Sequence, residues 1–284
     1  MKLLILTQKV DRDDGVLGFF YAWIKEFARH FEFVTVICLG KGSYDLPQNV
    51  KVLSLGKERG VSKLVYILNF YKYIWSERKN YDAVFVHMNP EYVLLGWKLW
   101  RLLGKKVALW YVHRQVNLKL RLAALFSHVI FSTTPEAFRL KTKKVHFLGH
   151  GIDFSQFSTS PKNVRTSDVQ NFEIVHVGRI APIKNIDVLI DAANILKNKW
   201  SKDFLITLVG PPDAKGDEGH KKKLEDQIKR LGLEENIKFT GNIPFKKIQE
   251  FYHQANVSVN LTPTGGMDKA VLESIASGTT AFSA

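Results

Sequence analysis

The chain has 284 residues, of which 45% are apolar and 12% aromatic, and its formal net charge is +14. This composition is typical of a globular protein and excludes disordered, collagen-like and low-complexity classes. The single cysteine, Cys38, excludes an intramolecular disulfide framework and a multi-cysteine metal site, and it favours a reducing compartment.

Apolar runs of strand length alternate with amphipathic segments of helix length, which is typical of parallel sheets built from βαβ units. The pattern predicts a first domain over residues 1–160. Its predicted strands are Leu3–Leu6, Phe33–Cys38, Val50–Ser54, Ala83–His87, Val107–Val112, Val129–Ser132 and Val145–Leu148. Its predicted helices are Gly18–Phe31, Ser62–Arg78, Glu91–Leu103, Leu118–Phe126 and Pro135–Leu140.

A polar stretch follows, and residues 161–170 are the predicted linker to a second domain over residues 171–284. There the predicted strands are Phe172–Val177, Phe204–Val209, Ile237–Thr240 and Val257–Leu261, with helices beginning near Asn185 and over Lys221–Leu231 and Phe245–Gln254. The chain ends in Thr279–Ala284, the beginning of another strand, so we expect this domain to be incomplete. The predicted fold is α/β, with two doubly wound lobes that face each other across a cleft.

The N-terminal apolar run is too short for a signal peptide, and Asn69, Lys72 and Lys98 interrupt the best candidates for a transmembrane segment. We therefore expect a cytoplasmic protein, with peripheral binding at the inner membrane face left open. Residues 92–150 contain eleven lysines and arginines and one acid, Glu136. Such a segment attracts phosphate groups of nucleotides, nucleic acid or anionic lipids.

Two aromatic and basic segments could contact a membrane, or their aromatic residues could belong to the core. The first contains Trp97, Lys98, Trp100, Arg101, Lys105 and Lys106, and the second contains Tyr66, Phe70, Tyr73, Ile74 and Trp75.

Arg179 and Lys184 follow the strand that ends at Val177 and lie in one predicted loop at the carboxyl edge of the sheet. A guanidinium and an ammonium at this edge can bind a diphosphate from one side. The alternative is that both are ordinary solvated cations.

The segment Thr262–Gly278 predicts a glycine-containing loop that leads into a short helix, with Gly278 at its C′ position. The amides of the 264–269 turn and the positive end of the helix would attract an anion. Glu273 could accept hydrogen bonds from a ribose diol. The alternative is an i,i+4 ion pair between Lys269 and Glu273, worth about 0.3–0.5 kcal/mol.

Gly15 and Gly18 lie between the first strand and the first helix but do not form a GxGxxG motif, so a dinucleotide redox fold is poorly supported. His87 and His113 each end a predicted strand, where a histidine is either catalytic or structural.

The order of these motifs resembles the retaining, nucleotide-sugar-dependent glycosyltransferases of family 4, the glycosyl transferases group 1, which have the GT-B fold of two facing Rossmann-like lobes. The motifs that carry the resemblance are Gly15–Gly18, His150–Asp153 with Phe157, Val177–Arg179 with Lys184, Val209–Pro211, Phe239–Pro244 and Leu272–Gly278.

The resemblance implies that the first domain binds the acceptor and the second a UDP- or GDP-hexose. The implied donor-binding residues are Gly15, Gly18, Arg179, Lys184, Ile243, Gly265, Gly266, Met267, Lys269 and Glu273. Arg179 and Lys184 would bind the diphosphate, Glu273 the ribose, and Ile243 would lie near the base. His113 would lie near the transferred sugar. The acceptor would be a glycan or a lipid-linked sugar, and we expect no cofactor, no metal and no nucleic-acid partner.

The sequence departs from the family at one position. The helix usually carries two glutamates eight positions apart, and the position eight before Glu273 is Gly265. Asp268 is the nearby acid that would substitute, so it is a candidate catalytic residue together with His113. The remaining alternatives are an inactive relative that only binds sugar nucleotides and a basic nucleic-acid-binding protein.

Overall fold

The computed structural model describes residues 1–157, 171–212, 218–263 and 268–283, and the chain divides into two units, Met1–His150 and Gly151–Ala284. The first unit ends before the boundary predicted at residue 160, because Phe157 is buried in a hydrophobic cluster of the second unit. The linker predicted over residues 161–170 lies outside the described residues.

The first unit contains a seven-stranded parallel sheet in the order β3-β2-β1-β4-β5-β6-β7. The strands are β1 (Lys2–Val10), β2 (Phe33–Lys41), β3 (Val50–Ser54), β4 (Ala83–His87), β5 (Lys106–Trp110), β6 (Val129–Ser132) and β7 (Val145–Phe147). The helices are α1 (Gly18–His30), α2 (Lys63–Ser76), α3 (Pro90–Leu102) and α4 (Leu118–Phe126). All the predicted strands of this unit are confirmed, with shifted ends.

The helix predicted over Pro135–Leu140 is wrong, since this segment forms a single turn. The amide of Ala137 donates to the carbonyl of Thr134 (3.2 Å), and Phe138 is buried in the core. A segment this short gains too few hydrogen bonds to offset helix nucleation, so the turn that buries Phe138 prevails.

Helices cover both faces of this sheet. Side chains of α2, α3 and α4 enter one core cluster, and side chains of α1 enter the cluster on the other face. This arrangement follows from right-handed crossovers: the chain moves one way across the sheet from β1 to β2 and the other way from β3 to β4, β5 and β6.

The second unit contains a five-stranded parallel sheet in the order β10-β9-β8-β11-β12. The strands are β8 (Asn171–Val177), β9 (Asp203–Val209), β10 (Ile237–Gly241), β11 (Val257–Asn260) and β12 (Thr280–Ser283). The helices are α5 (Phe154–Phe157), α6 (Ile186–Lys199), α7 (Glu218–Arg230), α8 (Ile248–Gln254) and α9 (Lys269–Ala276). The strand predicted at the end of the chain is confirmed as β12, and the helix predicted from Phe245 begins as a 3₁₀ turn.

Strand order reverses between β1 and β4 in the first unit and between β8 and β11 in the second. Ligands of doubly wound sheets bind at the carboxyl ends of the strands at such switch points. Among the described residues, no helix is both long enough and apolar enough to cross a membrane.

The predicted end of α9 is confirmed. Gly278 has a φ of 70°, its amide donates to the carbonyl of Ile275, and the next amide donates to the carbonyl of Ser274, which is a Schellman motif.

We expect Gly278→Ala to lower the free energy of unfolding by about 1 kcal/mol, because alanine disfavours this left-handed backbone. Urea denaturation measures it. Gly219→Ala is the control, since Gly219 lies in α7 with no heavy atom near its added Cβ, and it should cost nothing. Equal losses in both variants would contradict the assignment.

Candidate functional site

The candidate site lies at the switch point of the second unit, where β8 and β11 end. The loop after β8 is fixed to the end of β9 by two backbone hydrogen bonds, from Gly178 to Val209 (2.9 Å) and from Ile180 to Pro211 (2.8 Å). Arg179 lies between these anchored residues, and its side chain is exposed. The sheet therefore holds in place the backbone of Arg179, whose guanidinium is predicted to bind a diphosphate.

Gly210 permits this close approach of the two loops. A Cβ at this position would lie 2.0 Å from the carbonyl oxygen of Gly178, and the φ of Gly210 is 142°. Both facts require glycine here. They explain physically why glycine follows the strand in the predicted motif Val209–Pro211.

The loops after β8 and β11 are joined by side chains. The ammonium of Lys184 lies 2.7 Å from Oδ2 of Asp268, and the amide of Asn185 donates to the carbonyl of Leu261 (3.0 Å). The predicted cation after β8 and the acid at the start of α9 are thus brought together across the switch point. Asn185 does occupy the N-cap position of α6, but its side chain makes no capping hydrogen bond because it reaches to Leu261 instead.

Asp268 caps α9 by accepting a hydrogen bond from the amide of Ala270 (3.3 Å). Burial favours the protonated acid, but the charge and hydrogen bond of Lys184 outweigh it, so the pKa of Asp268 is lowered. Asp268 is therefore an ionised carboxylate that fixes the position of the Lys184 ammonium. This engagement limits its predicted role as a substitute for the missing glutamate.

Lys269 and Glu273 form the i,i+4 ion pair considered from the sequence, with 2.9 Å between the charged groups. The pair is largely withdrawn from solvent, with side-chain exposures of 20% for Lys269 and 5% for Glu273. Burial raises the pKa of Glu273 and lowers that of Lys269. The ammonium of Lys269 lies 4.4 Å from the centre of the Phe245 ring, and the hydroxyl of Tyr252 donates to the carbonyl of Ala270. Removing one partner of such a pair lowers the free energy of unfolding more than removing one partner of an exposed pair does.

The four remaining residues that the sequence predicted for donor binding in the second unit are Ile243, Gly265, Gly266 and Met267. Ile243 is half-buried and packs against the cluster that contains Val209 and Ile248. Gly265, Gly266 and Met267 lie outside the described residues.

In the first unit, the loop with Gly15 and Gly18 follows β1 at the other switch point. The carboxylate of Asp14 accepts hydrogen bonds from the amides of Val16 (2.9 Å) and Leu17 (2.7 Å) and pairs with Lys9 (2.7 Å). An internal carboxylate therefore already uses amides that the loop would offer to an anion.

His113 is exposed after β5, and its Nδ1 accepts a hydrogen bond from the amide of Gln115 (3.0 Å). Its neutral form thus carries the proton on Nε2. His87 instead is a core residue: it stacks on Phe20 at 3.9 Å, and burial lowers its pKa to about 3.

The sequence reasoning missed His176. Its Nδ1 donates to the carbonyl of Val259 (3.0 Å), while its buried Nε2 has no partner among the described residues. A Cβ on Gly178 would lie 3.2 Å from that Nε2. The available signal was a single imidazole in an otherwise apolar strand end, directly before Val177-Gly178-Arg179.

Burial lowers the pKa of His176 to about 4, and this predicts acid sensitivity. The unfolded state binds a proton below a pKa of about 6.5, whereas the folded state does so only near 4, so stability falls as pH falls through this window. Between pH 7 and pH 5 we expect wild type to lose about 2 kcal/mol more than His176→Asn. Urea denaturation at both pH values measures these free energies of unfolding. Equal losses in wild type and His176→Asn would show that His176 does not titrate this way.

Comparison with known proteins gave one family. The family described as "Glycosyl transferases group 1" matches residues 159–284. Mannosylfructose-phosphate synthase of Agrobacterium fabrum is 26% identical over 164 residues, which are 53% of this chain and 36% of that protein. The chain thus spans about a third of the length of that curated relative.

Two solved structures extend the likeness to the whole chain. Anabaena HepE, in complex with UDP, has a TM-score of 0.73 at 18% identity, covering 99% of this chain and 80% of that one. WaaG, a glycosyltransferase involved in lipopolysaccharide biosynthesis, has a TM-score of 0.70 at 14% identity, covering 99% and 80%. These likenesses confirm the predicted fold class of two Rossmann-like α/β domains, as in GT-B proteins.

Proposed function

We propose that the chain is a glycosyltransferase similar to the glycosyl transferases group 1, whose family model matches residues 159–284, and that it transfers a hexose from a nucleotide sugar to an acceptor hydroxyl. The transfer would retain the anomeric configuration. The acceptor would be a glycan or a lipid-linked sugar, and the donor a UDP- or GDP-hexose.

One observation carries the proposal: the ion pair of Lys184 with Asp268 at the switch point between β8 and β11. An ammonium has three donors, and within the described chain that of Lys184 gives one to Asp268, so the others would serve phosphate oxygens. Arg179 follows the same strand, and its guanidinium would add a second cation for the diphosphate. A diphosphate at the start of α9 would add the favourable end of a helix dipole.

Glu273 would bind the ribose diol, and the charge of Lys269 would offset part of the cost of burying that carboxylate. Ile243 would lie near the base. UDP in the HepE structure supports a uridine nucleotide among the two bases considered.

The proposed reaction breaks the bond between the anomeric carbon and the diphosphate oxygen. Arg179 and Lys184 would stabilise the negative charge that develops on the departing diphosphate, so no bound metal would be needed. The acceptor hydroxyl would attack the oxocarbenium-like sugar from the side on which the diphosphate leaves, and its proton would pass to the departing diphosphate oxygen. His113 would lie near the transferred sugar, as the resemblance implies.

The engagement of Asp268 by Lys184 favours a second candidate function, sugar-nucleotide binding without transfer. If the family's earlier carboxylate is needed for chemistry, Gly265 cannot supply it and Asp268 is already used.

The test incubates the protein with UDP-glucose, UDP-galactose and GDP-mannose, with and without sugar-phosphate and lipid-linked acceptors, and follows release of nucleoside diphosphate. Proton NMR of the product gives the anomeric configuration. The proposal expects acceptor-dependent release from one donor, a retained configuration and no effect of EDTA. Donor binding without release would support the second candidate, and an absence of binding to every donor would overturn both.

A further inference from the structure

Helices α2, α3 and α4 share one face of the first sheet, so their outward sides form one surface of that unit. Their inner sides supply Phe70, Ile74, Trp100 and Leu120 to a single core cluster. Of the aromatic residues considered as membrane contacts, Trp100 and Phe70 are buried and Tyr66 and Tyr73 pack against the core, as the alternative held, whereas Trp75 is exposed.

The outward side of α2 is nevertheless apolar. Leu64, Ile67, Leu68, Tyr71 and Trp75 are exposed by 65%, 39%, 61%, 42% and 51%. Their spacing of three and four residues places them in one stripe along the helix.

A second stripe lies on α4, where Leu118, Leu122 and Leu125 are exposed by 70%, 39% and 65%. Leu102, at the end of α3, is 82% exposed. Nine of the twenty exposed large hydrophobic side chains in the described part of the chain thus lie on these three helices, which is a concentration that isolated surface leucines do not produce.

The opposite face of the same sheet provides an internal comparison. Within the described chain, the exposed residues of α1 are Lys25, Glu26, Arg29 and His30, and no large apolar side chain of α1 is exposed. This is the pattern of a helix that faces water. The apolar surface is therefore specific to the α2–α4 side.

This surface is also strongly positive. The exposed charged residues of the three helices are Lys63, Lys72, Glu91, Lys98, Arg101, Lys119 and Arg121. The one acid, Glu91, is paired with Lys119 at 3.0 Å. The surface therefore complements a layer of negative charge.

A basic pocket of about 490 Å³ opens where α3 and α4 end. Its lining contains Trp97, Phe126, Arg101, Lys105, Lys144 and His128, and no carboxylate among the described residues. The guanidinium of Arg101 has no hydrogen-bond or ion-pair partner in the described chain. The Nδ1 of His128 accepts a hydrogen bond from the amide of Val107 (3.0 Å), so its Nε2 carries a proton that can be donated.

We infer that the α2–α4 surface docks on an anionic lipid bilayer, with both apolar stripes in the interface and a lipid head-group phosphate in the pocket of Arg101 and His128. The aliphatic content of the stripes favours lipid over nucleic acid, which binds through cations and stacked aromatic rings. The surface belongs to the first unit and the candidate donor site to the second, so the inference does not depend on the proposed transfer reaction.

Co-sedimentation with vesicles tests the inference. We expect wild type to bind vesicles of phosphatidylglycerol and phosphatidylcholine and to bind pure phosphatidylcholine at least about tenfold more weakly, with binding reduced by high salt. Leu64→Ser with Leu68→Ser should weaken binding to the anionic vesicles about tenfold or more. Arg101→Ala should weaken it about fivefold.

Matched controls use exposed positions elsewhere. Ile195→Ser on α6, where Ile195 is 55% exposed, controls for the lost apolar contact, and Arg29→Ala on α1 controls for the lost charge. Both should bind like wild type. Four results would each overturn the inference. They are equal binding to both vesicle types, equal losses of binding in the control variants, binding of RNA in place of vesicles, and loss of self-association in the leucine variant when no vesicle binding occurs.

Discussion

Replacement of Glu273 by alanine is expected to lower the free energy of unfolding of the second unit by about 3–5 kcal/mol. The variant removes the Glu273 carboxylate from the Lys269 ammonium, whose side chain is only 20% exposed, and breaking a largely buried pair on one side costs this much. An exposed i,i+4 pair would be worth only about 0.3–0.5 kcal/mol. Chemical denaturation followed by circular dichroism measures the difference, and a loss below about 1 kcal/mol would show that the pair acts as an exposed one.

The double variant Lys269→Met with Glu273→Leu separates stability from binding. Replacing a buried pair by apolar groups of similar volume is often neutral or stabilising, so stability should return to within about 1 kcal/mol of wild type. If Glu273 binds the ribose, affinity for the nucleotide should stay low in this stable variant. Restored stability together with wild-type affinity would leave Glu273 with a structural role only.

Lys184→Ala is expected to weaken the binding of a nucleoside diphosphate by about 1.5–3 kcal/mol, roughly 10- to 150-fold, because it removes a charged hydrogen bond. Isothermal titration with UDP and with GDP measures the change. Arg179→Ala should weaken binding on the same scale and reduce its dependence on salt, since Arg179 is the more exposed of the two cations.

Lys221→Ala is the matched control for the loss of a lysine in an ion pair. Lys221 pairs with Glu225 on α7 at 3.1 Å and is distant in sequence from the loops after β8 and β11. Its variant should bind like wild type. An unchanged affinity of Lys184→Ala, with its fold intact, would remove Lys184 from the site.

The fold followed from local patterns in the sequence. Runs such as Phe204–Val209 are apolar on both faces, as buried parallel strands must be, and their alternation with helices left few other topologies. Pro135–Leu140 failed because its apolar residues satisfy a helical period as well as a turn that buries Phe138, and only the tertiary core decides between them.

The sequence predicted those parts of the candidate site that come directly after predicted strands. Arg179 and Lys184 follow one strand, and Asp268 opens the helix after another, so the doubly wound pattern brings them to one edge. The contact between Lys184 and Asp268 could not be predicted, because it joins positions 84 residues apart and depends on which strands are neighbours. The burial of Glu273 likewise depends on Phe245 and Tyr252, which local spacing does not place.

The basic and aromatic segments also show that the sequence does not determine which side chains are buried. Composition indicated that aromatic residues and cations lie together, but Trp100 and Phe70 turn inward while Leu64 and Leu68 turn outward. Burial is a property of the packed sheet and its helices. Helical spacing alone gives two faces for α2 and does not say which one meets the core.

The central claim is that a nucleoside diphosphate binds where β8 and β11 end. Amide hydrogen exchange with and without saturating UDP or GDP tests it most directly, since bound ligand slows exchange in the segments that it orders. The account predicts slowed exchange in peptides that cover Gly178–Asn185 and Asp268–Glu273, and no such slowing in Lys184→Ala at the same ligand concentration. Slowed exchange only elsewhere in the chain, or equal slowing in the variant, would contradict it.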